Sequence, residues 1–250
     1  MTLRLETRGP VAHLIIDRAA KRNAMNQAMW VALPGLVADA MADPEVRVLV
    51  LKSAERSVFC AGADIGELSS NAANPDWLAT NQTAINRAQY ELTRAAKPTI
   101  ALIDGDCVGG GCGLALACDL RVASSRSRFG ITPAKLGLVY PLHDTKLLVD
   151  LVGPANAKRI LFTGTLIDAA EAHRIGLIDE IANNADDMLT SMTSVSGHSQ
   201  RESKAMILRI LDGQAADNDE TRALFAAAFA GPDFKEGVDA FLTKRKPNFS

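Results

Sequence analysis

The chain has 250 residues, 48% of them apolar and 22% charged, and a formal net charge of −2. Its length and a mean hydropathy of +0.05 suit a water-facing globular protein with one sizeable core plus an appendage. The near-neutral charge gives no general attraction to nucleic acid, and basic residues are scattered apart from Lys244-Arg245-Lys246. No apolar run reaches the roughly 20 residues that a bilayer crossing needs.

The segment Met1 to Pro10 is charged where a signal peptide would be apolar, so a cytoplasmic location without membrane partners is expected. In chain order, Leu3 to Thr7 and Val11 to Ile16 read as paired strands joined by Gly9-Pro10, and Gln27 to Met41 has helical spacing. Val46 to Lys52 is a further strand, followed by the small-residue loop Phe59-Cys60-Ala61-Gly62-Ala63-Asp64-Ile65. Asp76 to Ala95 reads as a helix stopped by Lys97-Pro98, and Thr99 to Ile103 is a buried strand leading into Gly109-Gly110-Gly111-Cys112-Gly113. Beyond about residue 145 strand signals fade, save a short one near Leu177 to Ile181. Lys158 to Phe162, Asp168 to Arg174, Ser203 to Leu211, Glu220 to Ala230 and Asp233 to Lys244 look helical. An α/β core over residues 1–190 and a helical region over 191–250 are expected.

Each small-residue loop follows a strand and leads toward a helical pattern, which leaves backbone N–H groups without partners. Two such amides converging from separate loops, one at a helix N-terminus, suit an oxygen that becomes negative during reaction. The four cysteines, at 60, 107, 112 and 118, lack the paired spacing of a zinc site or a secreted disulfide framework, and read as reduced residues packed inside. Cys112, within the second loop, sits beside the converging amides, but no histidine nearby in sequence is placed to activate it.

These two loops, with Asp17-Arg18, Asn23-Ala24-Met25, Ala117-Cys118-Asp119-Leu120, Phe129-Gly130, Leu136-Gly137, Thr163-Gly164, Ile167-Asp168-Ala169, Ile175-Gly176-Leu177-Ile178-Asp179 and the tail Phe241 to Phe249, follow one another in an order that resembles the crotonase superfamily, the enoyl-CoA hydratases and isomerases. The resemblance implies an α/β, crotonase-like spiral of β-β-α units with a C-terminal helical layer that builds trimers or dimers of trimers and covers the CoA pocket. It also implies an acyl-CoA thioester substrate, with coenzyme A present as part of that substrate, no permanently bound cofactor and no metal.

Carried over residue by residue, the resemblance gives the oxyanion amides to Ala63 and Gly110. The coenzyme A end falls to backbone around Asn23, Ala24, Ala61 and Ala63, with Asp64, Ile65 and Gly109 alongside. Lys21 and Arg22 are placed either to meet phosphate or to stand solvated, and Lys244 and Phe249 to reach a neighbouring subunit's cofactor. Asp64 and Glu67, just past the first loop, stand where they could line the acyl pocket, with Asp64 reading first as a helix N-terminal cap. Two departures stand out: the positions where hydratases of this family hold their paired glutamates are Gly113 and Pro133, and neither moves a proton.

Substitutes lie nearby in Tyr140, His143 and Asp144. Tyr140 reads as an acid or as a pocket wall with a satisfied hydroxyl, His143 as a proton carrier or a solvated turn residue, and Asp144 as an acid or a helix cap. Tyr140 and Thr132-Pro133-Ala134 are similar to methylmalonyl-CoA decarboxylases of the superfamily, although those hold a histidine where this chain has Ala63. The expected function is therefore acyl-CoA enolate chemistry in the hydratase/isomerase family. Decarboxylation is the first alternative, and a coenzyme A binding protein without turnover is the second.

Overall fold

The computed structural model describes residues 2–249. Met1 and Ser250, the outermost residues of the two expected regions, lie outside the described residues. The chain divides into two compact units, Met1–Ala95 with Thr99–Ala185, and Ala96–Pro98 with Asp186–Ser250.

The first unit opens with β1 (Leu3–Arg8) and β2 (Val11–Ile16), an antiparallel pair with Leu3 opposite Ile16. There follow α1 (Gln27–Ala42), β3 (Val48–Ser53), β4 (Val58–Cys60), α2 (Ile65–Asn71) and α3 (Pro75–Thr93). Next come β5 (Thr99–Ile103), β6 (Asp106–Val108), α4 (Gly110–Leu116), β7 (Leu120–Ala123) and β8 (Arg128–Gly130). The unit closes with α5 (Leu142–Thr163), β9 (Ile167–Asp168), α6 (Ala169–Arg174) and β10 (Glu180–Ile181).

Two sheets result. The larger has the order β1-β2-β3-β5-β7-β10, parallel beyond its first pair; the smaller has the order β4-β6-β8-β9, parallel except for its last pair. Parallel strands are covered on both faces and so read as unbroken apolar runs. Val48, Leu49, Val50 and Leu51 of β3 are all fully buried. Each such side chain contributes about 1.5–3 kcal/mol relative to exposure. β3 and β4, then β5 and β6, repeat one pattern: a strand of the large sheet, a strand of the small sheet, then a loop and a helix. Because β4 and β6 pair in parallel, with Cys60 opposite Cys107, the loops that leave their ends are neighbours.

The second unit holds α7 (Asp186–Thr193), α8 (Gly197–Leu211), α9 (Asp219–Ala228) and α10 (Pro232–Thr243). Ser196 caps α8 and donates to Asp233, and Asn218 with Thr221 forms a capping box on α9. Phe225, Phe229 and Phe234 meet edge to face, and the Lys204 ammonium donates to the Lys97 carbonyl at 3.2 Å. Among the described residues no helix is long and apolar enough to cross a membrane.

Element bounds differ in places from the sequence reading. The strand expected from Val46 starts at Val48, and the helix expected over Asp76 to Ala95 spans Pro75–Thr93. Lys158 to Phe162 is the end of the longer α5, in which Gly153, at φ 73°, breaks the helical path before Pro154. Asp168 is the cap of α6 rather than its first turn.

Candidate active site

The first loop is anchored by Asn23. Its buried side-chain amide donates to Ser53 Oγ at 2.7 Å, to the Val58 carbonyl at 2.9 Å and to the Phe59 carbonyl at 3.2 Å, while its oxygen accepts from the Arg18 N–H at 2.8 Å. The main chain then pairs Met25 with Ala63: the Met25 N–H donates to the Gly62 carbonyl and the Asp64 N–H donates to the Met25 carbonyl. In a parallel bridge of this kind the N–H of the intervening residue points away from the partner. The Ala63 N–H accordingly makes no hydrogen bond among the described residues, and neither does that of Gly110, the first residue of α4.

The two amides stand close. A methyl group built on Gly110 would lie 3.5 Å from the Ala63 nitrogen and 3.3 Å from the Trp30 ring, so Trp30 borders the pair. Gly62 makes the approach possible: it takes φ 102°, and a side chain there would come within 3.0 Å of the Val108 carbonyl.

Three residues beyond Gly110, at the next turn of α4 and about 4.5 Å along its axis, is Gly113. Its side-chain space is filled. A methyl on Gly113 would fall 2.4 Å from Gln89 Nε2 and 2.7 Å from Asp144 Oδ1. Gln89 projects from α3 and is fully buried, and Asp144, on the first turn of α5, is nearly so. The Gln89 amide donates to Asp144 Oδ1 at 2.6 Å. Asp144 Oδ2, Gln89 Oε1, the Tyr140 hydroxyl, His143 Nε2 and Trp30 Nε1 are buried without a partner.

Burial raises the Asp144 carboxyl above the ordinary carboxylate range, against the Gln89 amide and the neighbouring His143 and Tyr140, which lower it. Burial, then the charge of Asp144, pushes the Tyr140 phenol well above its usual value, so it stays neutral and able to donate. The hydroxyl stands beside Asp144 but forms no well-aligned hydrogen bond. Asp144 is not a helix cap, because Pro141 holds that place.

The other expected site residues fall as follows. Asp64 caps α2 through the Gly66 and Glu67 amides and pairs with Arg18 at 2.8 Å, which lowers its pKa. Ile65, at the start of α2, is exposed, and Glu67 accepts from the Gln27 N–H at 2.8 Å. The Ala61 N–H donates to the Arg22 carbonyl, that of Ala24 to the Lys21 carbonyl, and that of Gly109 to the Gly130 carbonyl. Lys21 is exposed at the end of a 3-10 turn. The Arg22 guanidinium pairs with Asp106 at 2.7 Å, at the start of β6, whereas the free amides lie beyond the ends of β4 and β6. Pro133 opens a 3-10 turn. Lys244 ends α10 in a left-handed conformation, and the Phe249 ring lies against Gly237; both belong to the second unit. Burial pushes the Cys60 thiol up to about 12 and Cys107 well above its usual value, so neither is a thiolate near neutrality. Among the described residues no three His, Cys, Asp or Glu side chains gather as a metal site.

A family model of the enoyl-CoA hydratase/isomerase type matches residues 6–250. The chain belongs to the enoyl-CoA hydratase/isomerase family. A crotonyl-CoA hydratase of Syntrophomonas wolfei is 33% identical to it over 98% of this chain and 96% of the relative. A short-chain-enoyl-CoA hydratase of Clostridium acetobutylicum is also 33% identical, over 97% and 95%. The crystal structure of an enoyl-CoA hydratase/isomerase family protein from Hyphomonas neptunium superposes with a TM-score of 0.96 at 40% identity, covering 100% of this chain and 98% of that one. Within that family fold, the described cluster contains two residues the sequence reading did not name, Gln89 and Trp30. Gln89 follows Ile85 and precedes Leu92 at helical spacing, a polar residue on an apolar stripe, and that was the readable signal.

Proposed function

We propose that this protein is an acyl-CoA enzyme that forms and reprotonates a thioester enolate, with the Ala63 and Gly110 amides holding the enolate oxygen and Asp144 moving the proton. The observation that carries the reading is one buried carboxyl with a raised pKa, its Oδ2 unpaired, at the side-chain position of Gly113, one turn of α4 beyond the unpaired Gly110 amide. Such a carboxyl, raised toward the working pH, is suited to take a proton and return it.

The resemblance places paired glutamates at 113 and 133, and hydration uses two groups to place and activate water. With Gly113 and Pro133 there, a single carboxyl favours moving a proton from one carbon to another, as in double-bond isomerisation. The acyl tail runs toward the groove of about 390 Å³ between α1 and α3, lined by Trp30, Val31, Pro34, Ala84 and Arg87. Coenzyme A follows the backbone of Asn23-Ala24 and Ala61 to Ala63, with no permanently bound cofactor. Exposed Phe225, Phe241 and Leu242 of the second unit support assembly into trimers, and four buried cysteines in the thiol form fit a cytoplasmic location.

A second reading, decarboxylation, rests on Tyr140: loss of carbon dioxide leaves the enolate in the amide pair directly, and a buried neutral phenol is placed to protonate it. Absorbance of the conjugated thioester separates these options. A β,γ-unsaturated acyl-CoA should gain that absorbance in proportion to enzyme, while crotonyl-CoA should lose it far more slowly. Fast hydration of crotonyl-CoA with no isomerisation would reject the single-carboxyl reading. Carbon dioxide release from a malonyl-type thioester with neither change would favour Tyr140.

A further inference from the structure

We propose that Gln89 is a positioning residue of this site: its amide, seated in the space a side chain at 113 would occupy, fixes Asp144 Oδ1 and leaves Oδ2 to exchange protons with the acyl group. This rests on the reading of Asp144 given above. Gln89 comes from α3, Gly113 from α4 and Asp144 from α5, so three helices meet at one hydrogen bond of 2.6 Å.

The contact is exclusive. With 2.4 Å from the Gly113 methyl position to Gln89 Nε2 and 2.7 Å to Asp144 Oδ1, even alanine at 113 must push the pair away. The Gln89 side chain makes no second hydrogen bond among the described residues: its Oε1 is buried and unpaired. Buried polar atoms are nearly always partnered, and here Gln89 Oε1, Asp144 Oδ2 and the Tyr140 hydroxyl are all unpaired in one cluster. A neutral amide donor is chemically apt for orienting a carboxyl that must cycle between charged and uncharged forms, because it adds no charge of its own. The groups facing Asp144 are His143 and Tyr140 from its own segment and the neutral Gln89 from α3, with the Cys112 and Cys107 thiols beyond Tyr140.

The sign follows from the bond. An N–H donor favours the carboxylate, so removing it makes the carboxyl easier to protonate, and proton abstraction then fails at a higher pH than before. The test is the pH profile of α-proton exchange of butyryl-CoA in heavy water, for the wild type, Q89M, G113A and D144N. Q89M keeps the side-chain length, and G113A displaces the amide without touching it. Both should move the acid limb of the profile upward by about one pH unit, a tenfold change in proton affinity. A limb that stays in place in both folded variants, with the rate merely scaled, would make Gln89 a packing residue and overturn the proposal. Should only one variant fold, its limb decides. D144N exchanging as fast as wild type would instead overturn the assignment of Asp144 itself, and Gln89 with it.

Discussion

At the scale of single residues, Asp144 has opposite effects on stability and on chemistry. Its folded-state pKa is raised, so it favours folding below its unfolded value and loses that contribution as pH rises through the folded value. D144N removes the titration while keeping an oxygen for the Gln89 amide. The variant should therefore gain in melting temperature over wild type at pH 8, with the gap closing as pH falls toward 4; a constant gap would show that Asp144 does not titrate in this range. Its α-proton exchange should fall by about 10²- to 10⁴-fold, the usual contribution of a positioned acid or base. Gly110 offers a separate test. Proline is tolerated at the first position of a helix, so G110P removes the N–H with little cost to α4. The ring carbon also stands where the N–H pointed, so exchange should drop by at least about 10²- to 10³-fold, and activity within tenfold of wild type would remove Gly110 from the oxygen site.

At the scale of elements, strand pairing does the placing. β4 and β6 are three residues each, yet their parallel pairing sets the Ala63 and Gly110 loops side by side. Arg121 does similar work from β7: its guanidinium is buried and donates to the Leu177 and Cys118 carbonyls at 3.0 Å, and pairs with Asp179 at 2.7 Å. It ties the end of α4 to the segment before β10. R121M leaves those carbonyls without their donor and Asp179 with only the backbone N–H of residue 121, and should cost about 3–5 kcal/mol in urea unfolding; a loss under 1 kcal/mol would mean that water replaces the guanidinium. The long elements were legible because burial imposes a period on them. β2 and β5 have the bounds read from the sequence, since an apolar run between turn residues has few other outcomes. Three-residue strands such as β4, β6 and β8 are too short to show any period, and α7 has only Met188, Leu189 and Met192 as a stripe over about two turns, too little to stand out. The amide-bearing loops were legible from their glycines. The Gln89–Asp144 contact was not, because it joins residues 55 positions apart and depends on how three helices cross.

At the scale of the whole molecule, the second unit exposes Phe225, Phe241, Leu242 and Ile210, each more than 60% accessible. Single exposed apolar residues are ordinary, but several on consecutive helices are what the proposed assembly needs as its contact surface. Sedimentation should give three or six times the chain mass of 26.6 kDa, and F241D with L242D should lower it. A wild-type monomer at micromolar concentration would contradict that assembly.

Enolate formation is measured most directly by deuterium uptake at the α-carbon of butyryl-CoA in heavy water, followed by mass spectrometry at rising enzyme concentration. Uptake proportional to enzyme and lost in D144N is the expected result, since the proposed reaction forms the enolate in the amide pair and reprotonates it from solvent through Asp144. Saturable binding of butyryl-CoA with no deuterium gained at any pH from 6 to 9 would contradict it, and would leave a protein that holds acyl-CoA without turning it over.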